Sequence, residues 1–133
     1  MKLIIIVLSS LLLSNELTTC QVTKVIDGDS FKCGKYTVRL AGVDAPEYNH
    51  KYGSKSSYAL RKLIDGKTVE LDIIKKGYFK RSIAYVYLGE INVNEYLLMN
   101  GHVKCYRESS HKYLAEYDKI ERLAKLTKIG VWN

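Results

Sequence analysis

Apolar residues crowd the start of the chain and then fall into alternating and helical rhythms. Leu3 to Leu13 is broken only by Ser9 and Ser10, Lys2 precedes it, and Ser14, Asn15 and Glu16 follow. A basic start, a short apolar run and a polar end predict an export signal over residues 1–20. The run falls short of the roughly 20 apolar residues that a membrane-spanning helix needs. A buried first element of the domain is the alternative. Beyond it, Val22 to Ile26, Ser30 to Cys33, Tyr36 to Val43, Lys67 to Ile74 and Arg81 to Leu88 are rich in Val, Ile, Thr, Tyr and Phe. Such residues suit a pleated, half-buried surface, so five strands are predicted, the first three joined as a meander.

Three segments change to the helical period. Ser54 to Ile64 sets Ala59, Leu60, Leu63 and Ile64 on one stripe, with serines to cap its start and Asp65-Gly66 to stop it. Val93 to Asn100 places Val93, Tyr96 and Leu97 on one side and ends at Gly101, which predicts a short two-turn helix. Across Lys112 to Lys128, Leu114, Tyr117, Ile120 and Ala124 share a face, and the pairs Asp118/Arg122 and Glu121/Lys125 are expected on the wet side. Strands interrupted by one helix and followed by two more predict an α+β domain over residues 21–133, a five-stranded OB-type barrel with three helices outside it.

Composition narrows this picture. A chain of 133 residues, 47% apolar and 26% charged, has room for one core and is neither a disordered tail nor a repeat protein. Its net charge of +7 survives loss of residues 1–20, because Lys2 and Glu16 cancel. An exported basic domain favours a polyanion, with closely spaced phosphates, an anionic membrane surface and cell-wall polymer all satisfying the charge. Nothing in the chain calls for a protein partner, and a monomer is expected.

Candidate chemistry gathers between Ile26 and Glu47. Asp27-Gly28-Asp29-Ser30 is a tight strand connection, and Asp44 follows in Leu40-Ala41-Gly42-Val43-Asp44-Ala45-Pro46-Glu47. Closing the meander brings Asp29 beside Asp44. Two close carboxylates repel unless a cation or shared proton intervenes, and a hard divalent ion such as calcium accepts oxygen ligands of this kind. Ordinary Asx turns beside Gly28 would leave the same residues without a metal. Arg39, between Val38 and Leu40, points away from the face of its apolar neighbours, either as a solvated charge or as a planar clamp for phosphate. Arg81 is a second such group, in a basic segment with Lys75, Lys76 and Lys80.

These residues together resemble the staphylococcal nuclease family. The resemblance rests on Val25-Ile26-Asp27-Gly28-Asp29-Ser30, Val38 through Glu47, Lys80-Arg81-Ser82-Ile83-Ala84-Tyr85, Val93-Asn94-Glu95, Gly101 and Gly130-Val131-Trp132, in order from Val22 to Trp132. It implies an OB-type barrel with three helices and calcium-dependent cleavage of DNA and RNA to 3'-phosphates. By position, Asp29, Asp44 and the Ala45 carbonyl are expected to hold calcium. Arg39 and Arg81 are expected on the scissile phosphate, and Glu47 on the attacking water. Phe79, Tyr106 and Tyr113 are expected to stack on bases. The chain departs from the family's pattern where Ser30 replaces Thr, Lys80 replaces Gly, Gly77 replaces an acidic residue and Phe79 replaces Tyr, and its loop from Glu47 to the first helix is short. The alternative from another class is a noncatalytic OB module that binds nucleic acid.

The three cysteines bear on compartment. Cys20 follows Leu17-Thr18-Thr19 at the expected end of the signal, where ordinary cleavage releases the protein and a lipobox-like reading anchors it to a membrane. A secreted or periplasmic protein is expected. Cys33 and Cys105 then remain, either paired in an oxidising compartment or as two buried thiols.

Overall fold

The computed structural model describes residues 16–133, so most of the expected export signal lies outside the described residues. Among the described residues eight strands and three α-helices follow one another: β1 (Thr18–Asp27), β2 (Ser30–Cys33), β3 (Tyr36–Leu40), β4 (Val43–Asp44), α1 (Gly53–Ile64), β5 (Thr68–Lys76), β6 (Ser82–Leu88), β7 (Ile91–Asn92), α2 (Val93–Met99), β8 (Lys104–Cys105) and α3 (Leu114–Leu126). The main sheet runs β3-β2-β1-β5-β6-β7, and a parallel pairing of β3 with β6 closes its first five strands into a barrel. The expected meander is present, since β1 pairs with β2 and β2 with β3, both antiparallel.

Inward-facing residues fill the barrel as period-two strands require. Val22, Phe31, Val38, Leu40, Leu71 and Val86 are all buried, and Leu60 and Ile64 of α1 and Leu97 and Leu98 of α2 join the same core. Polar satisfaction ties α2 to the barrel. The Asn94 side chain donates to the Ala41 carbonyl at 2.9 Å and accepts from the Val86 N–H at 3.0 Å. Among the described residues no helix is long and apolar enough to cross a membrane.

Several expectations are corrected. The third strand ends at Leu40 rather than Val43, because Gly42 turns the chain at φ +74° and Val43–Asp44 pairs instead with Lys104–Cys105. Serines do not cap α1. Tyr52 precedes it without a side-chain cap, while the Ser56 hydroxyl donates to the His102 carbonyl at 2.7 Å and fastens the helix to the segment between α2 and β8. Asn92 supplies the cap of α2 by accepting from the Glu95 N–H. Glu121 is not on the wet face of α3. At 1% exposure it accepts from the Cys105 N–H at 2.5 Å and from Arg107 at 2.8 Å, and meets Lys125 at 3.1 Å. Burial opposes its charge, but these donors outweigh that and hold its pKa below the usual value.

The cysteine pairing also differs. Cys33 bonds to Cys20, not to Cys105, which is a free buried thiol. The reason lies in the length of β1, which begins four residues before the expected Val22. Thr18 to Gln21 pair with Thr68 to Leu71, and this carries Cys20 to a Cα–Cα distance of 5.7 Å from Cys33. The expected boundary after residue 20 falls inside this strand. A cut there removes three residues of the β1–β5 ladder and the partner of Cys33.

Candidate active site

The site is built where three chain turns converge at one end of the barrel. The β1–β2 connection is an Asx turn in which Asp27 accepts from the Asp29 N–H at 3.1 Å. Gly28 lets that turn lie against α1, because a Cβ there would strike the Ser56 hydroxyl. Asp29 therefore points inward with 7% exposure. Its carboxylate accepts from the Ser30 hydroxyl at 3.1 Å and from the Ala45 N–H at 2.8 Å, which fixes β4 and the following loop beside it. Burial raises the Asp29 pKa to about 6, and the nearby Arg39 charge only partly offsets this.

Arg39 sits between the two carboxylates. Its Nη1 donates to the carbonyls of Leu40 at 2.7 Å and Val43 at 2.6 Å, so the backbone turn at Gly42 fixes the guanidinium plane. Its Nη2 lies 3.4 Å from Asp29 and 3.3 Å from Asp44. Arg81 enters from the β5–β6 connection, with its Nε donating to the Tyr78 carbonyl at 3.4 Å. Glu47 is exposed on the loop that leads to α1. That loop is shaped by the His50 N–H donating to the Glu47 carbonyl and by Gly53, where a Cβ would strike the same carbonyl.

Asp29, Asp44, Ala45, Arg39, Glu47 and Arg81 all line one cavity of about 460 Å³. A second cavity of about 650 Å³ adjoins it and shares Arg39 and Arg81. The expected aromatic contacts divide. Tyr106 lines the larger cavity with its ring 5.9 Å from the Arg39 guanidinium carbon. Phe79 is 90% exposed on the β5–β6 turn at φ +60° and lines neither cavity. Tyr113 is half-buried, edge-on to Tyr85 at 4.9 Å and stacked on Tyr117, and it also lines neither. Residues not anticipated are Tyr78 and His111 in the larger cavity and Tyr48 and Ser57 in the smaller. Tyr48 was marked only by adjacency to Glu47, and Ser57 by its place on the first turns of α1.

The donor set suits a hard cation. Among the described residues no three His, Cys, Asp or Glu side chains converge as a metal cluster. A cation here would draw on the Asp29 and Asp44 carboxylates, the Ala45 carbonyl and water, an all-oxygen set of the kind calcium accepts. A buried carboxylate whose pKa is raised by burial gains from such a charge, so the residues present fit the ion.

Comparison with known proteins identifies the family. A family model described as "Staphylococcal nuclease homologue" matches residues 37–133. An "Uncharacterized endonuclease" of Haemophilus influenzae is 34% identical over 96% of this chain and 78% of its own length. A "Probable staphylococcal-like nuclease CAN4" of Oryza sativa subsp. japonica is 32% identical over 86% of this chain, which spans only 23% of that longer protein. An "Uncharacterized endonuclease" of Escherichia coli O157:H7 is 26% identical over 85% of this chain and 76% of its own length. The family match begins inside β3 and runs to the last residue, taking in Arg39, Asp44, Glu47 and Arg81 alike, and by it the chain belongs to the staphylococcal nuclease homologue family.

Proposed function

We propose that this nuclease hydrolyses DNA and RNA phosphodiesters with calcium and little sequence preference, leaving 3'-phosphates. The observation that carries the reading is the gathering of two carboxylates, two arginines and Glu47 around one cavity. Calcium, when bound by Asp29, Asp44 and the Ala45 carbonyl, supplies charge that polarises a nonbridging phosphate oxygen. Arg39, held by two backbone carbonyls, presents its remaining donors to the phosphate, and Arg81, which lines the same cavity, adds a second guanidinium. Charge that builds on the phosphate oxygens during attack meets these preset donors. Glu47 takes a proton from a water whose oxygen forms a bond to phosphorus, while the bond from phosphorus to the 5'-oxygen breaks and that oxygen takes a proton from solvent water; Glu47 later returns its own proton to solvent. The 3'-oxygen stays on phosphorus, which gives the 3'-phosphate.

A noncatalytic binding module would have no use for this convergence of acid, base and clamp residues. Export fits the same reading. We place the processing cut ahead of Thr18, because Cys20 is consumed in the disulfide with Cys33, and a disulfide of this kind persists in an oxidising compartment. That pairing leaves no Cys20 thiol for lipidation. Linear DNA and RNA incubated with calcium should be degraded to fragments that carry 3'-phosphates, and excess EDTA should stop the reaction. Undiminished digestion in EDTA, or 3'-hydroxyl ends, would contradict the proposal.

A further inference from the structure

The catalytic cavity opens onto a helix whose charge the reaction does not use. Between Tyr48 and Ile64 the chain carries Lys51, Lys55, Arg61 and Lys62 and no carboxylate. All four cations are exposed, and none is in an ion pair among the described residues. On α3, by contrast, Arg122 and Lys125 are paired with Asp118 and Glu121. Gly53, Ser56, Leu60 and Ile64 bury one side of α1, and Ser57 lines the cavity. Arg61 lies one turn beyond Ser57, and Lys55, Tyr58 and Lys62 recur at helical spacing on the exposed surface next to it. Tyr48 is 94% exposed at the cavity rim and Tyr58 is 60% exposed along the helix. From Gly53 to Lys62 the helix extends about 14 Å, long enough to meet more than one phosphate of a chain.

We propose that α1 and the loop before it form a binding track for the nucleic-acid strand as it leaves the catalytic cavity. The inference rests on the nuclease reading for its substrate class and on α1 alone for its location. An internal phosphodiester has nucleotides on both sides. The larger cavity, lined by Tyr78 and Tyr106, accommodates one side, and the smaller cavity leads past Tyr48 and Ser57 to α1 on the other. Unpaired cations interleaved with exposed tyrosines hold a strand by phosphate attraction and base stacking, with no reading of sequence. The track makes long strands better ligands than short ones.

The test combines Lys55→Gln, Arg61→Gln and Lys62→Gln in one variant, with Tyr58→Ala as a second. Binding of a fluorescent 20-nucleotide single-stranded DNA is measured in EDTA at several salt concentrations, and cleavage of a dinucleotide is measured with calcium. Since each neutralised single-strand phosphate contributes about 0.7 to the salt slope, the triple variant should bind more weakly with a slope flatter by about 2. Tyr58→Ala should weaken binding severalfold at an unchanged slope. Dinucleotide cleavage should be unaltered in both. Equal strand affinity and slope in the triple variant and the parent overturn the track, and so does a matching loss of dinucleotide cleavage, which would place these charges in the catalytic step. A parent that binds the strand yet cleaves neither substrate contradicts the nuclease reading, while the binding comparison still decides the track.

Discussion

Replacing Asp29 with asparagine should stabilise the metal-free protein at neutral pH while removing its response to calcium. Asp29 is 7% exposed, and burial lifts its pKa from 3.8 to about 6. A carboxyl raised in this way favours the fold when protonated. That contribution is fully present below pH 3.8, declines as pH rises, and is gone above about pH 6. A rise of about two units at about 1.4 kcal/mol each makes ionised Asp29 cost the fold about 3 kcal/mol at pH 8. Asparagine carries no charge, still accepts from the Ala45 N–H through its oxygen, and lets the Ser30 hydroxyl turn to accept from its amide. Urea unfolding in EDTA should find Asp29→Asn more stable than the parent at pH 8, with the difference shrinking toward zero near pH 4. Added calcium should stabilise the parent and not the variant. A variant weaker than the parent at pH 8 in EDTA, or an advantage that does not change between pH 4 and 8, would refute a destabilising charge on Asp29.

Arg39→Lys should lower turnover by tenfold or more, a loss of about 1.4 kcal/mol in transition-state stabilisation, because an ammonium cannot keep both backbone carbonyls and still present a flat fork; an unchanged kcat in single-turnover assays would count against the clamp. Thiol titration of the denatured, unreduced protein should find one free cysteine, Cys105, and three would exclude the bond to Cys20. Cys20→Ala should cost about 3 kcal/mol in urea unfolding by the chain-entropy estimate for so short a loop. Glu121→Ala should cost about 3 kcal/mol, since it strands the buried Cys105 N–H and takes from Arg107 one of its two carboxylate partners, leaving only Asp118. The Glu121 pKa is lowered in the fold, so its contribution is present at neutral pH and fades as pH falls through its folded pKa; a loss below 1 kcal/mol at pH 7 would show that the network is not cooperative.

The barrel was legible in the sequence because its strands are short β-branched and aromatic runs and its helices have buried stripes at helical spacing. Arg39, Asp29 and Asp44 were legible because closing a meander leaves little choice in which strand ends meet. What escaped was set by contacts between distant segments. Nothing near Thr18 marks it as a strand, since it becomes one by pairing with Thr68 to Leu71. That extension changed the disulfide partner of Cys33. Glu121 follows a salt-bridge spacing that suits a wet helix face, and only the approach of β8 and Arg107 explains its burial. Tyr113 sits amid other aromatics in sequence as in space, and its ring was taken up by Tyr85 and Tyr117. Serine spacing on α1 predicted a cap, yet Ser56 found the His102 carbonyl instead.

The most direct test of the mechanism is the turnover of Glu47→Gln at saturating calcium and DNA. Glu47 lies exposed at the cavity wall and is not among the proposed calcium ligands, so the variant should fold, bind calcium and bind DNA as the parent does. Without a base for the attacking water, kcat should fall by about 100-fold or more, roughly 3 kcal/mol of barrier. A folded Glu47→Gln protein that binds calcium and cleaves DNA at the parent's rate would contradict the account.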